Sequence, residues 1–251
     1  MKSSRIFSSL CGAIALCGIA LTTSVWAVAG ATIDSDGTGV QSSIVAQPKR
    51  AMNIVYPYEM LIGGKAGWAE ASFVIDYAGR PLFTNPSGAS DSDFAKAAVA
   101  MVEANLFSPA KKDKHVTMAS SKLTFKFDGE ASLPADARRV LAELRKAQPA
   151  ILTLADIDQR PKAVSQDSPV YPRALKEDGL TGQAEIEFVV TAEGNVVCPR
   201  IVSATQTDFG WAAAIAVAQW RFQPPTKNGQ KVDVRMSVPV LFDARKLAAS
   251  D

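Results

Sequence analysis

Between Ser168 and Phe242 the chain carries a run of landmarks that also occurs 115 positions earlier, in the same order and without a gap. Val55, Tyr56 and Pro57 correspond to Val170, Tyr171 and Pro172, and Gly67, Phe73, Gly79 and Phe94 to Gly182, Phe188, Gly194 and Phe209. Ala97, Ala98, Phe107, Pro109, Lys112 and Phe127 keep the same step with Ala212, Ala213, Phe222, Pro224, Lys227 and Phe242. Turn glycines, strand aromatics and a helix-ending Phe-x-Pro hold one offset over roughly seventy residues, so the chain reads as two copies of one small fold. Each copy, at about 75 residues, has a thin core and draws on tight turns or a packed neighbour for its last few kcal/mol.

The first 27 residues read as an export signal, with Lys2 and Arg5 ahead of the apolar run Leu10 to Leu21 and a small-residue cleavage pattern at Val25-Trp26-Ala27. An uncleaved inner-membrane anchor is the alternative, since the apolar character extends from Ile6 to Ala29. Loss of Lys2 and Arg5 takes the formal charge from +2 to zero. A neutral chain without Lys/Arg runs interleaved with aromatics gives no sign of nucleic-acid binding. Cys198 becomes the lone cysteine beyond the signal, expected as a small half-buried strand residue, and disulfides are ruled out as staples. With His115 the one histidine, in a Lys-rich loop, the residues compose no His/Cys metal site, cofactor site or small-molecule substrate site, and no nucleophile elbow is present. The expectation is a binding protein, not an enzyme.

In order, residues 28–50 are Gly/Ser/Thr/Asp-rich and read as a flexible lead-in, followed by a first, degenerate repeat over 51–128. There a short helix ends near Leu61, and Ala69, Ala71, Phe73 and Ile75 alternate as a half-buried strand. A helix capped by Ser92 or Asp93 carries Phe94, Ala97, Ala98, Met101, Val102 and Leu106 on one apolar stripe, and Leu123, Phe125 and Phe127 close the unit. Residues 129–160 form a helical connector, with Pro134 to Ala147 helical and Ile151 to Ile157 an extra strand. The second repeat, 161–247, is the cleaner one. Its helix, capped by Asp208, buries a stripe of Phe209, Ala212, Ala213, Ala216 and Trp220. Val232, Val234, Met236, Val238 and Val240 then alternate as the clearest strand, and Pro239 within it marks an edge. The fold class expected is α+β, two small domains each with a short antiparallel sheet and helices packed on one face.

Taken together, SPVYPRA (Ser168 to Ala174), GQAEIEFVV with EGNV (Gly182 to Val196), FGWAA (Phe209 to Ala213), WRFQP (Trp220 to Pro224) and the closing strand to Phe242 resemble the TonB C-terminal domain. The resemblance covers essentially all of the second repeat. The first carries a weaker version, with Asn105 in place of Trp220. It implies a periplasmic protein of a Gram-negative cell that binds an extended segment of an outer-membrane TonB-dependent receptor, or of another envelope protein, by strand addition, linked to energy-coupled transport. Carried over, the contact residues are Ser168, Pro169, Val170, Tyr171 and Pro172 together with Val234, Met236, Val238, Val240 and Phe242. Tyr171 serves equally well as a staple holding its segment to the domain, and Trp220 reads as core. Energy-transducing members carry a histidine in their membrane helix, for an inner-membrane motor complex, and a Pro-rich spacer. The apolar start of this chain has neither, so a stand-alone periplasmic scaffold is the alternative function. Strand addition predicts that Val238→Pro weakens partner binding more than folding. A third arrangement pairs the edge strands of the two copies with each other.

Overall fold

A computed structural model describes residues 46–50 and 54–244. The export signal or anchor and most of the lead-in lie outside the described residues. The first unit runs α1 (Tyr58–Ile62), β1 (Gly67–Ile75), β2 (Pro81–Ala89), α2 (Ser92–Glu103), β3 (Ala110–Lys112), β4 (His115–Thr117) and β5 (Ala119–Phe127). A 3-10 turn (Gly129–Ser132), α3 (Ala135–Leu144) and β6 (Leu152–Thr153) follow. The second unit comprises β7 (Ala163–Ser165), α4 (Arg173–Glu177), β8 (Gly182–Val190), β9 (Val196–Ala204), α5 (Thr207–Gln219), β10 (Arg221–Phe222), β11 (Thr226–Lys227), β12 (Gln230–Lys231) and β13 (Val234–Phe242). Shifted by 115, β1, β2 and β5 coincide residue for residue with β8, β9 and β13.

Both sheets are antiparallel about a central strand, in the order β2-β1-β5 in the first unit and β13-β8-β9 in the second, where β6 adds a short parallel pairing outside β13. The pairing register is also shared: Gly67 faces Phe127 as Gly182 faces Phe242. One helix covers one face of each sheet, α2 over β1 and β2 and α5 over β8 and β9. This is the expected α+β architecture. The same three rings lock each core. Phe94 stacks on Phe127 at 4.5 Å and Phe209 on Phe242 at 4.4 Å, with Tyr56 and Tyr171 edge-on to each pair. The tyrosine hydroxyls donate to the carbonyls of Lys65 and Leu180, so an apolar body is buried with its polar tip satisfied.

The hairpin turns repeat as well. Gly79 and Gly194 have φ of +87° and +85°, a left-handed conformation glycine adopts without strain, and each carbonyl accepts the amide of Phe107 or Phe222, at 2.7 and 2.9 Å. Residues 47–49 of the lead-in, moreover, pair with Leu106, Phe107 and Ser108, as β7 pairs with β10 in the second unit. The Ile151 to Ile157 stretch narrows to the two residues of β6, because the Asp156 carboxylate accepts the Thr153 amide at 2.8 Å and turns the chain.

Helix starts differ from expectation. Asp91, extended and one residue earlier than anticipated, caps α2 by accepting the Asp93 amide at 3.0 Å. The same helix stops at Glu103, so Leu106, expected on its buried stripe, lies beyond it and is exposed. Asp208 lies inside the first turn of α5, where its charge meets the positive helix end, and Gln206 at the cap position makes no side-chain cap. The α5 stripe is also wider than expected: every residue from Phe209 to Ala218 is buried. A helix apolar all round must be covered all round. One side of α5 rests on its own sheet, and α2 of the first unit packs against it. Trp220 follows the last helical residue and is core, its ring edge-on to Phe188 and its Nε1 donating to the Asp167 carbonyl at 2.8 Å.

The two units therefore join through helices, and the arrangement in which their edge strands pair is not the one adopted: β5 and β13 lie in separate sheets. Equivalent elements exchange contacts as in a two-fold dimer. α2 meets α5. α1 sits against β9, where Arg200 lies 5.3 Å from the Tyr58 ring centroid and 3.7 Å from Glu59. In return Arg173 of α4, the position equivalent to Tyr58, lies 5.9 Å from the ring of Phe83 on β2. Helix α3 straps the pair. Its Arg145 donates to the carbonyls of Leu61 and Ile62 in the first unit, at 2.9 and 3.1 Å. Arg139 grips Glu193 and Asp233 of the second, and buried Asp136 accepts from Thr191 and Asn195, at 3.1 and 2.7 Å.

Candidate protein-binding edge

Main-chain direction decides what a strand edge can offer. Gln183 donates its amide to Thr205 Oγ1 at 3.1 Å and accepts the Thr205 amide at 2.9 Å, so its polar groups face β9. Direction alternates along a strand, and Gly182, Ala184, Ile186, Phe188 and Val190 therefore face β13. Their partners Phe242, Val240, Val238, Met236 and Val234 are consumed in that ladder. The groups aimed outward belong to Arg235, Ser237, Pro239 and Leu241. β6 covers the first of these, leaving an open edge from Met236 to Phe242.

This geometry separates the residues named from the sequence. Val234, Val240 and Phe242 put their side chains into the core, while Met236 and Val238 are half-buried against it. The outward positions of the same strand, Ser237, Pro239 and Leu241, are exposed, and the alternation that singled out the apolar residues passed over them. Proline has no amide to give, so Ser237 and Leu241 supply the donors of the open edge. Val238→Pro would remove a bond to Ile186 inside the sheet, which makes it a folding mutation and corrects the expectation stated for it.

The SPVYP segment is placed beside this edge by Tyr171, whose ring is 5.6 Å from Phe242 and 5.4 Å from Phe209. The ring acts as a staple, and burial raises the phenol above its ordinary pKa. Pro172 is buried at the start of α4, Pro169 is half-buried and Val170 is 47% exposed. Ser168 and Val170 border a groove between the units, with Leu106 of the first and Ile215 of α5 among its walls. The segment thus runs from the groove beside α5 to Phe242 at the end of β13.

Charge next to the covered start of β13 is ordered by α3. Arg139 donates to both carboxylates of Glu193 and Asp233, at 2.9 to 3.3 Å, which raises its own pKa and lowers that of Glu193. Ser237 donates to Glu185. Cys198 is buried at φ +51°, more deeply than expected, and its thiol is pushed up to about 12 by desolvation. His115 is exposed in the β3–β4 hairpin. Among the described residues no group of three His, Cys, Asp or Glu could hold a metal, and no helix is long and apolar enough to cross a membrane.

Residues 167–244, which contain the SPVYP segment, the sheet and its open edge, match the family model described as Gram-negative bacterial TonB protein C-terminal. The second unit is a TonB C-terminal-like domain. Protein TonB of Vibrio cholerae is 29% identical over 87 residues, 34% of this chain and 36% of that protein. Protein TonB of Xanthomonas campestris pv. campestris is 34% identical over 79 residues, 31% of this chain and 35% of that protein. The chain thus spans about a third of the length of these relatives. A solution NMR structure of the Pseudomonas aeruginosa TonB CTD aligns with 26% identity and a TM-score of 0.31, over 34% of this chain and 88% of that one. The likeness of the first unit to the TonB C-terminal domain is weaker and is carried by its correspondence with the second at a step of 115 positions.

Proposed function

We propose that this is a periplasmic TonB-family protein whose second unit binds an extended segment of an envelope protein, such as a TonB-dependent outer-membrane receptor, by strand addition along β13. The observation that carries the reading is an open, outward-facing edge from Met236 to Phe242 in a unit that matches the TonB C-terminal family. Main-chain bonds supply the affinity, and the SPVYP segment beside the edge supplies side-chain contacts. In this reading the protein takes part in energy-coupled transport, with an inner-membrane motor complex as a further partner. The apolar start of the chain has no histidine, which favours a second reading, a periplasmic scaffold that holds its partner without transmitting force.

The test is a titration of isotope-labelled protein with a peptide copied from the periplasm-facing segment of a TonB-dependent receptor. Shifts should gather on Ser237 to Phe242. The Ser237→Pro/Leu241→Pro variant, which deletes both outward donors and spares the β8 ladder, should bind about 30-fold more weakly, at about 1 kcal/mol per bond. Unchanged affinity in a folded double variant refutes strand addition at β13.

A further inference from the structure

The first unit has the same edge in better condition. Trp68 donates its amide to Ser90 Oγ at 2.9 Å and accepts the Ser90 amide at 2.9 Å, so its main chain faces β2. Trp68 is opposite Lys126, and by alternation Lys126, Thr124, Lys122 and Ser120 aim their amides and carbonyls away from β1. β5 is the outermost strand of its sheet, and no described strand pairs with its far side. The positions equivalent to the outward set of β13 are instructive: Ser120 for Arg235, Lys122 for Ser237, Thr124 for Pro239, Lys126 for Leu241. Where β13 has a proline and a short strand laid over its start, β5 has four consecutive outward donors with none missing.

The charge differs as well. Beside β13 the neighbouring strand presents Glu185 and Glu187, where β1 presents Glu70 and Ser72. β5 carries Lys122 and Lys126 on its outward positions, with Glu70 at 3.5 Å from Lys122. The β3–β4 hairpin that precedes β5 in the chain carries Lys111, Lys112 and Lys114 against the single Asp113. Lysines on an edge strand blunt pairing between identical chains by repulsion, and the same charges attract an acidic strand.

We propose that the open edge of β5 is a second strand-addition site, and that it takes an extended acidic polypeptide segment. The inference extends strand addition from β13 to the other unit, but it stands on β5 geometry and is read out separately. The occupant runs antiparallel or parallel to Ser120–Lys126, with carboxylates at alternate positions meeting Lys122 and Lys126. The protein is then bivalent, with one basic edge and one acidic-flanked edge on the two units.

The probe is a blocked peptide of alternating Glu and Val, about seven residues long to match the open span, with an alternating Lys/Val peptide as control. Both are titrated into the isotope-labelled full chain at low salt. The acidic peptide should shift the amides of Ser120, Lys122, Thr124 and Lys126, and the basic peptide should not. Lys122→Glu/Lys126→Glu should weaken acidic-peptide binding about tenfold, and Thr124→Pro, which deletes one outward donor, should weaken it about fivefold while leaving the β1 amides unmoved. Equal weak binding of the two peptides, or shifts confined to β13, means the lysines only blunt the edge and overturns the proposal. The receptor peptide reports on β13 in the same spectra. Loss of signal at β5 with shifts retained at Ser237 to Phe242 refutes this inference alone, and the reverse pattern refutes the reading of β13 alone.

Discussion

Replacing Gly194 by alanine probes the turn that closes the second unit. At φ +85° an L-residue is strained, at about 1–2 kcal/mol. A Cβ there would also lie 2.1 Å from the Phe222 carbonyl oxygen and 3.2 Å from its carbon, so the backbone must retreat by roughly an ångström to reach van der Waals distance. That displacement moves a chain segment fixed at both sides, by Trp220 in the core and by the Phe222 amide on the Gly194 carbonyl, and forced repacking of this kind costs about 1–3 kcal/mol. The total is about 3 kcal/mol. Gly229 supplies the control, since it has φ +75° with nothing within 4 Å of its would-be Cβ, and Gly229→Ala should therefore cost the backbone strain alone, about 1 kcal/mol. Urea unfolding followed by tryptophan fluorescence reads both, and the Gly194→Ala midpoint should fall below that of Gly229→Ala by about 1 M at a slope near 2 kcal/mol/M. Equal destabilisation of the two variants, within about 0.5 kcal/mol, would refute the claim that the carbonyl of Phe222 makes this position intolerant.

Two further perturbations test the contacts between units. The Glu103 carboxyl, at the end of α2, is raised above the ordinary carboxylate range first by burial and then by Asp208, with Arg173 partly opposing. A raised acid is uncharged at no cost below its unfolded pKa and opposes folding as pH rises through and beyond it. Glu103→Gln should therefore melt higher than the parent at pH 7, with the gap closing near about pH 4; a gap independent of pH refutes the assignment. Arg139→Ala removes the clasp on Glu193 and Asp233 and, with the guanidinium partly solvated, should cost roughly 1 kcal/mol, less in high salt. A salt-independent loss would mean that packing, not charge, carries the contact.

Much of the fold was legible because spacing alone carries it. The 115-residue step matched Tyr171, Phe209 and Phe242 with Tyr56, Phe94 and Phe127, and those six rings pack as two equivalent trios in the two cores. What stayed hidden depends on partners that periodicity does not see. TDFGWAAAIAVAQ has no charge after Asp208, a signal that α5 is covered on every side, yet only the second unit's own stripe was read from it. The candidate contacts read from the sequence fell on the apolar positions of β13, because side-chain alternation marks what is buried, whereas the proposed strand addition depends on which amides point outward. Gln183 and Trp68 settle that through hydroxyl bonds to Thr205 and Ser90, contacts twenty-two residues away in sequence.

The reciprocal packing of the two units has a consequence for how the halves differ. In a dimer of identical chains every substitution enters twice, so a change that suits one binding edge is imposed on the other, and the assembly falls apart on dilution. Here both halves are written separately in one polypeptide. Thr124 and Pro239 occupy equivalent places, as do Lys122 and Ser237, without either choice constraining its counterpart. The tether also holds the halves together at any protein concentration, so the molecule keeps the geometry of a symmetric pair while being free of its rule of sameness.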